Sequence, residues 1–124
     1  MVEPYQALGL VPTMRGIRHR DEIAVNLEHI SHLIKAASWL SSFDLPVRLI
    51  AIPEGALQGF NDEVLDLDHE TFARECAIDI PGPETEYLGK LASQWNDADT
   101  DMDRKVLPHV SISSQSGVAL ELQP

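Results

Sequence analysis

The chain has 124 residues, a mass of 13.7 kDa and 44% hydrophobic residues, one domain's worth of ordinary globular composition and not that of a wholly disordered chain. Twenty Asp and Glu against nine Lys and Arg give a formal charge of −11 and a pI near 4.6. Nucleic acid and anionic membrane surfaces are therefore poor partners, because phosphate must be neutralised by Lys and Arg.

Cys76 is the only cysteine, so the chain has no intramolecular disulfide and no cysteine-based zinc cluster. Met1 to Leu10 lacks a basic start and a long apolar run, so no signal peptide is read there. No apolar run approaches the ~20 residues that span a bilayer. A cytoplasmic setting is expected.

In chain order, Tyr5 to Pro12 (YQALGLVP) reads as a short buried strand stopped by proline. Thr13 to Arg20 is a polar, basic loop. From Asp21 to Leu40, Ile23, Leu27, Ile30, Ile34 and Ala37 recur on one face of a helix, with Asp21 expected as its N-cap. Pro46 excludes further helix. Val47 to Ile52 (VRLIAI) is a second apolar strand, rich in β-branched residues and followed by Pro53. Strand, helix, strand is a βαβ unit and predicts a parallel pair. Gly55 to Asp68 is an acidic loop, His69 to Cys76 a short helix and Ile78 to Pro83 an extended turn. Glu84 to Trp95 is a second helix, with Pro83 near its first position and Tyr87, Leu88, Leu91 and Trp95 on one face. Residues 97–124 form an acidic linker and tail whose hydrophobic pattern is weak, so the chain divides into 1–96 and 97–124.

Glu54 directly follows the second strand, and ligands of parallel α/β sheets sit beyond the carboxyl ends of strands. A carboxylate there is expected to be partly shielded from water and suited to general-base work. Asp97, Asp99, Asp101 and Asp103 have part of a calcium-loop spacing, but Met102 stands where glycine makes the turn and Pro108 where the closing glutamate belongs, so a solvated linker is read. His29 and His32 share a helical flank without an evident third ligand, and no metal site is read there. Arg15, Arg18 and Arg20 form a basic patch expected to pair with the chain's own acids. No glycine-rich nucleotide motif or serine-hydrolase elbow occurs, and no cofactor is expected.

Several pieces together bear a family likeness. The first strand leads through a loop to a long helix carrying Asn26 and Leu27. A strand then ends in Pro53-Glu54, with Gly59-Phe60 five residues on. Finally Ile80-Pro81-Gly82-Pro83-Glu84-Thr85 opens a helix ending near Trp95. Over Tyr5 to about Trp95 the chain resembles the opening of the carbon–nitrogen hydrolase superfamily of nitrilases and aliphatic amidases. The resemblance implies the N-terminal part of a four-layer αββα sandwich, an α/β fold, incomplete here. It also implies hydrolysis of small amides or nitriles by a Glu-Lys-Cys mechanism without a cofactor. The cysteine attacks carbon, the glutamate is general base and the lysine stabilises the tetrahedral intermediate.

By that resemblance Glu54 matches the general base. Arg104-Lys105-Val106-Leu107-Pro108 resembles the segment around the family's lysine, although the family places two or more strands before it and here nine residues separate Trp95 from Lys105. Cys76 lies in the wrong region to be the nucleophile and reads as a small apolar filler. The expectation is a truncated or rearranged member, inactive by itself. The alternatives are a non-catalytic α/β interaction module, pairing through a sheet edge or as a homo-oligomer, and a chain that does not fold stably alone.

Overall fold

The computed structural model describes residues 3–41, 43–60, 67–98, 108–113 and 117–122, and it describes side chains as far as residue 94. The strands are β1 (Gln6–Gly9), β2 (Val47–Ile52), β3 (Pro108–Ser113) and β4 (Gly117–Leu122). The helices are α1 (Ile23–Ser41), α2 (His69–Cys76) and α3 (Pro83–Ala98).

β1 and β2 pair in parallel, from Gln6 opposite Val47 to Gly9 opposite Ala51, with α1 as the crossover. This is the βαβ unit expected from sequence. β2 has the predicted limits, whereas β1 is shorter than Tyr5–Pro12. Backbone pairing at its ends explains the length: Gln6 N–H donates to Pro46 O at 2.8 Å and Leu10 N–H to Ala51 O at 2.9 Å, after which the chain turns away. The sheet has four strands in the order β1-β2-β4-β3. The tail after residue 97 supplies the last two as a hairpin, with β4 antiparallel to β2 from Leu49 opposite Glu121 to Ile52 opposite Val118. The hairpin occupies the second edge of β2 and widens the parallel pair, which by itself is marginal.

α1 buries Ile23, Leu27, Ile30 and Ile34, the periodic face read from sequence, against Ile50 and Ile52 of β2 and Leu88 and Leu91 of α3. α3 packs along β3 and β4. Tyr87, expected on the apolar face of α3, is instead exposed, Ala92 is buried there, and the Trp95 side chain lies outside those described. The opposite face of β1 and β2 shows Ala7, Gly9 and Ala51 to solvent.

Asp21 is not an N-cap. A single 3-10 turn, Arg20–Glu22, precedes α1, its cap position is His19, and no side chain caps it. α2 does have an aspartate cap. Asp68 accepts from the Thr71 backbone N–H at 2.8 Å and from the Thr71 hydroxyl at 3.0 Å, which holds its carboxyl below the usual carboxylate range. α3 starts as the sequence implied, with Pro83 in its first turn. The Thr85 hydroxyl accepts from Gly82 N–H and donates to Gly82 O, both at 2.8 Å.

Candidate functional site at the carboxyl ends of the parallel strands

β1 and β2 both deliver their chains to the same end of the sheet, and α3 begins there. Glu54 is the second residue after β2 and opens a turn over residues 54–58. The turn is clamped. Gly55 and Gly59 have φ of +79° and +69°, a region open chiefly to glycine, and Gly59 N–H donates to Gly55 O at 2.7 Å. The Phe60 ring lies over Gly55, where a Cβ would stand 2.8 Å from it. Gly59 meets the backbone of the loop after β1: an added Cβ would lie 2.5 Å from Gly16 Cα and 2.8 Å from Arg15 O. The Gly-aromatic pair quoted from sequence therefore has a local task, closing this turn on itself and on the neighbouring loop.

Asn26 ties the same two loops to α1. Its buried Nδ2 donates to Leu57 O at 2.7 Å and to Arg15 O at 3.0 Å, one carbonyl from each loop. Ile17 N–H donates to Gln58 O at 3.2 Å, and Gln58 Nε2 donates to Cys76 O at 2.7 Å, which adds the end of α2.

On this rigid turn Glu54 is exposed, not partly shielded as expected. Among the described residues its carboxylate takes part in no hydrogen bond or ion pair. The reason is that the turn folds inward through Ala56 and Leu57, both buried, which leaves residue 54 on the outer side. Lys105 and the acidic residues 99–103 lie outside the described residues.

Cys76 ends α2 inside the core, 1% exposed, with Sγ 3.6 Å from Ile17 O, to which it donates. Burial, reinforced by Glu22 and Glu75, pushes its thiol pKa up. A thiol so placed stays protonated at neutral pH and out of reach of a substrate, so it acts as the apolar filler read from sequence. His29 and His32 are exposed on α1, and no group of three or more His, Cys, Asp or Glu among the described residues is arranged to hold a metal ion.

The basic patch divides. Arg20 reaches the start of α3, with Nε 3.3 Å from Glu84 Oε1, Nη2 3.3 Å from Glu84 Oε2 and Nη1 3.1 Å from Asp79 Oδ2. The bonds to Glu84 and then Asp79 raise the guanidinium pKa further, so Arg20 is charged throughout. Glu84 is buried, in the first turn of α3 where the helix dipole favours a carboxylate. The expected pairing with the chain's own acids holds for Arg20. His19 stands between Asp21 (3.3 Å) and Glu75 (3.7 Å).

Sequence reasoning missed the roles of Asn26, Gln58 and Glu84. A signal existed for two of them. Asn26 sits beside Leu27 at the edge of the apolar face, and a buried amide needs partners. Glu84 is the acid nearest the start of a helix in a chain with one local cluster of arginines. What the end offers chemically is a carboxylate on a fixed turn, exposed to any approaching group, and no activated nucleophile among the described residues. Among those residues, no helix is long and apolar enough to cross a membrane. No family model matches the chain, and neither a curated protein nor a solved structure matches it.

Proposed function

We propose that this chain carries the glutamate arm of a carbon–nitrogen hydrolase-type fold and is catalytically silent by itself. The observation that supports the reading is the position of Glu54, directly beyond the inner parallel strand on a turn clamped by Gly59 and Asn26, in a chain whose lone thiol is sealed in the core. Hydrolysis of an amide or nitrile by the Glu-Lys-Cys route needs a thiolate beside the base and a cation or donors for the oxyanion. Glu54 is the base in this reading, Lys105 the candidate cation, and the nucleophile comes from sequence other than these 124 residues. The exposed face of Ala7, Gly9 and Ala51 is where the second sheet of a four-layer αββα sandwich packs in the same reading, since small residues let sheets approach.

Two measurements test it. The purified chain, given acetamide or propionitrile, is expected to release ammonia no faster than buffer, with Glu54→Gln indistinguishable from it. Release well above buffer that Glu54→Gln abolishes would show the silence to be false. Reading the coding DNA onward from Trp95 in all three frames is expected to show a further strand, a lysine segment and a cysteine-acid segment in one frame. Their absence removes the hydrolase assignment.

A non-catalytic interaction module is the second reading, and a separate observation favours it: large apolar side chains are exposed at the other end of the molecule.

A further inference from the structure

α1 ends, and the link to β2 begins, in a group of exposed apolar residues. Trp39 is 62% exposed, Leu40 67% and Phe43 78%, and Leu45 follows at 39%. The Trp39 and Phe43 rings meet edge to face, with centroids 5.6 Å apart and planes at 82°. Tyr5, also exposed, borders the group, because the next residue, Gln6, donates through Nε2 to Asp44 at 3.3 Å. This is the end of the sheet opposite Glu54.

Aromatic side chains carry about 150–250 Å² each, so the exposed fractions amount to roughly 500 Å² of apolar surface. That is at the upper end of what a monomer leaves bare, about 300–600 Å². The stretch also carries little charge. Between Glu28 and Asp44 the sequence has no acid, although acids make up 20 of the 124 residues, and Lys35 lies one turn before Trp39.

We propose that two copies of this chain meet through this end, Trp39, Leu40, Phe43 and Leu45 of one against the same residues of the other, as a closed two-fold dimer. Two arguments choose a second copy as the occupant. The first is area. A self-complementary contact buries the patch twice, roughly 1,000 Å² in total, which reaches the size of a weak, reversible interface. The second is charge. Two bodies of −11 repel over most of their surfaces, and an end with a single acid between Trp39 and Leu45, Asp44, which accepts from Gln6, adds little to that repulsion. An isologous contact uses one patch on both partners, so it closes at two and leaves nothing to propagate. The reading does not depend on the hydrolase assignment.

Sedimentation velocity across a hundredfold range of concentration, from about 1 μM, tests it. The wild-type chain is expected to shift from 13.7 kDa to twice that mass, with Trp39 emission moving to shorter wavelength over the same range. Trp39→Asp and Phe43→Asp, each checked for an unchanged circular dichroism spectrum and a cooperative melt at a concentration too low for self-association, are expected to weaken the dimer by more than tenfold. Both side chains are exposed, and in the folded monomer either change removes their edge-to-face contact. A wild-type chain that stays monomeric overturns the proposal, as does a dimer that survives both substitutions or a series of larger species. So does a monomer that cosediments with phosphatidylcholine vesicles, which would assign the patch to a lipid surface.

Discussion

The two ends of the sheet are built on opposite terms. At the carboxyl ends of β1 and β2 every loop is held: Asn26 spans two carbonyls, Gly59 lies against Gly16, Gln58 reaches Cys76 O, and Arg20 clasps a buried Glu84. At the amino ends, aromatic and aliphatic side chains are exposed, and the buried Ser38 hydroxyl has no partner among the described residues. One end gains its order from internal hydrogen bonds in a desolvated setting. The other retains unspent apolar surface. Fixed loops around an exposed carboxylate suit a site that must hold its geometry, and bare apolar surface suits a contact yet to be made. The comparison can be broken by substitutions whose costs should differ sharply between the two ends.

The largest expected effect is at the clamped end. Gly59→Ala places a Cβ 2.5 Å from Gly16 Cα and 2.7 Å from Gly16 N, both backbone atoms that cannot rotate away, at a φ of +69° that L-residues disfavour. The left-handed conformation alone costs about 1–2 kcal/mol, and with the clash the loss should be about 3 kcal/mol or more. Gly55→Ala meets only the Phe60 ring, which can swing aside, and should cost less. Phe43→Ala at the opposite end gives up its edge-to-face contact with Trp39 and should cost about 1 kcal/mol or less. Urea unfolding at a concentration too low for self-association measures all three, because dimer formation would add its own stability. A Gly59→Ala cost below that of Phe43→Ala would mean that the two ends do not differ as described.

How much of this was legible in the sequence follows the range of the interactions. β2 carries its limits in VRLIAI between two prolines, and the buried face of α1 is written in its 3.6-residue period. α2 and the start of α3 are set by neighbours three or four residues apart, so they too could be read. The misreadings are long-range. Asp21 has the composition of an N-cap, yet it lies inside a 3-10 turn, Arg20–Glu22, whose first residue reaches Glu84, 64 residues away. Glu54 was placed correctly at the end of β2, but its exposure depends on which way the turn curls, and that is decided by Leu57 and Asn26. The hairpin of β3 and β4 has little pattern of its own, because it is defined by the edge of β2 that it joins. Trp39 and Leu40 read as the end of a helix, and their exposure depends on where the apolar face of α1 leaves the core.

Cys76 sharpens the comparison through pH. Its thiol is neutral in the core and its pKa is raised when folded, so above about pH 9, where an unfolded thiol ionises, the folded state binds more protons than the unfolded one. Stability is therefore complete below that pH and falls as pH rises through the window up to the folded pKa. The slope from this group is at most about 1.4 kcal/mol per pH unit. Cys76→Ala should flatten that part of the alkaline profile while lowering stability at neutral pH through the lost packing. Native Cys76 should also react with a disulfide reagent at least a hundredfold more slowly than the urea-unfolded chain. Equal rates would mean that the clamped end opens readily, and the filler role would fall with it.

A change of the opposite sign is expected at the other end of α1. Ser38 is buried on the core side of the helix, one turn beyond Ile34 and one residue before Trp39, and its hydroxyl has no hydrogen-bond partner among the described residues. A buried hydroxyl that has lost water without gaining a partner costs about 1–3 kcal/mol, against which removing one oxygen leaves a void smaller than a methyl group. Alanine also has the higher helix propensity. Ser38→Ala should therefore stabilise the chain by about 0.5–1 kcal/mol and raise its melting temperature by a few degrees. At the clamped end the corresponding exchange, Asn26→Ala, removes two satisfied hydrogen bonds and should destabilise. The opposite signs of the two polar-to-alanine changes on a single helix follow only if the hydroxyl near the apolar end is an unmet cost and the amide near Glu54 a met one. A destabilising Ser38→Ala would mean that the hydroxyl has a partner after all, and the contrast between the ends would then rest on the exposed aromatics alone.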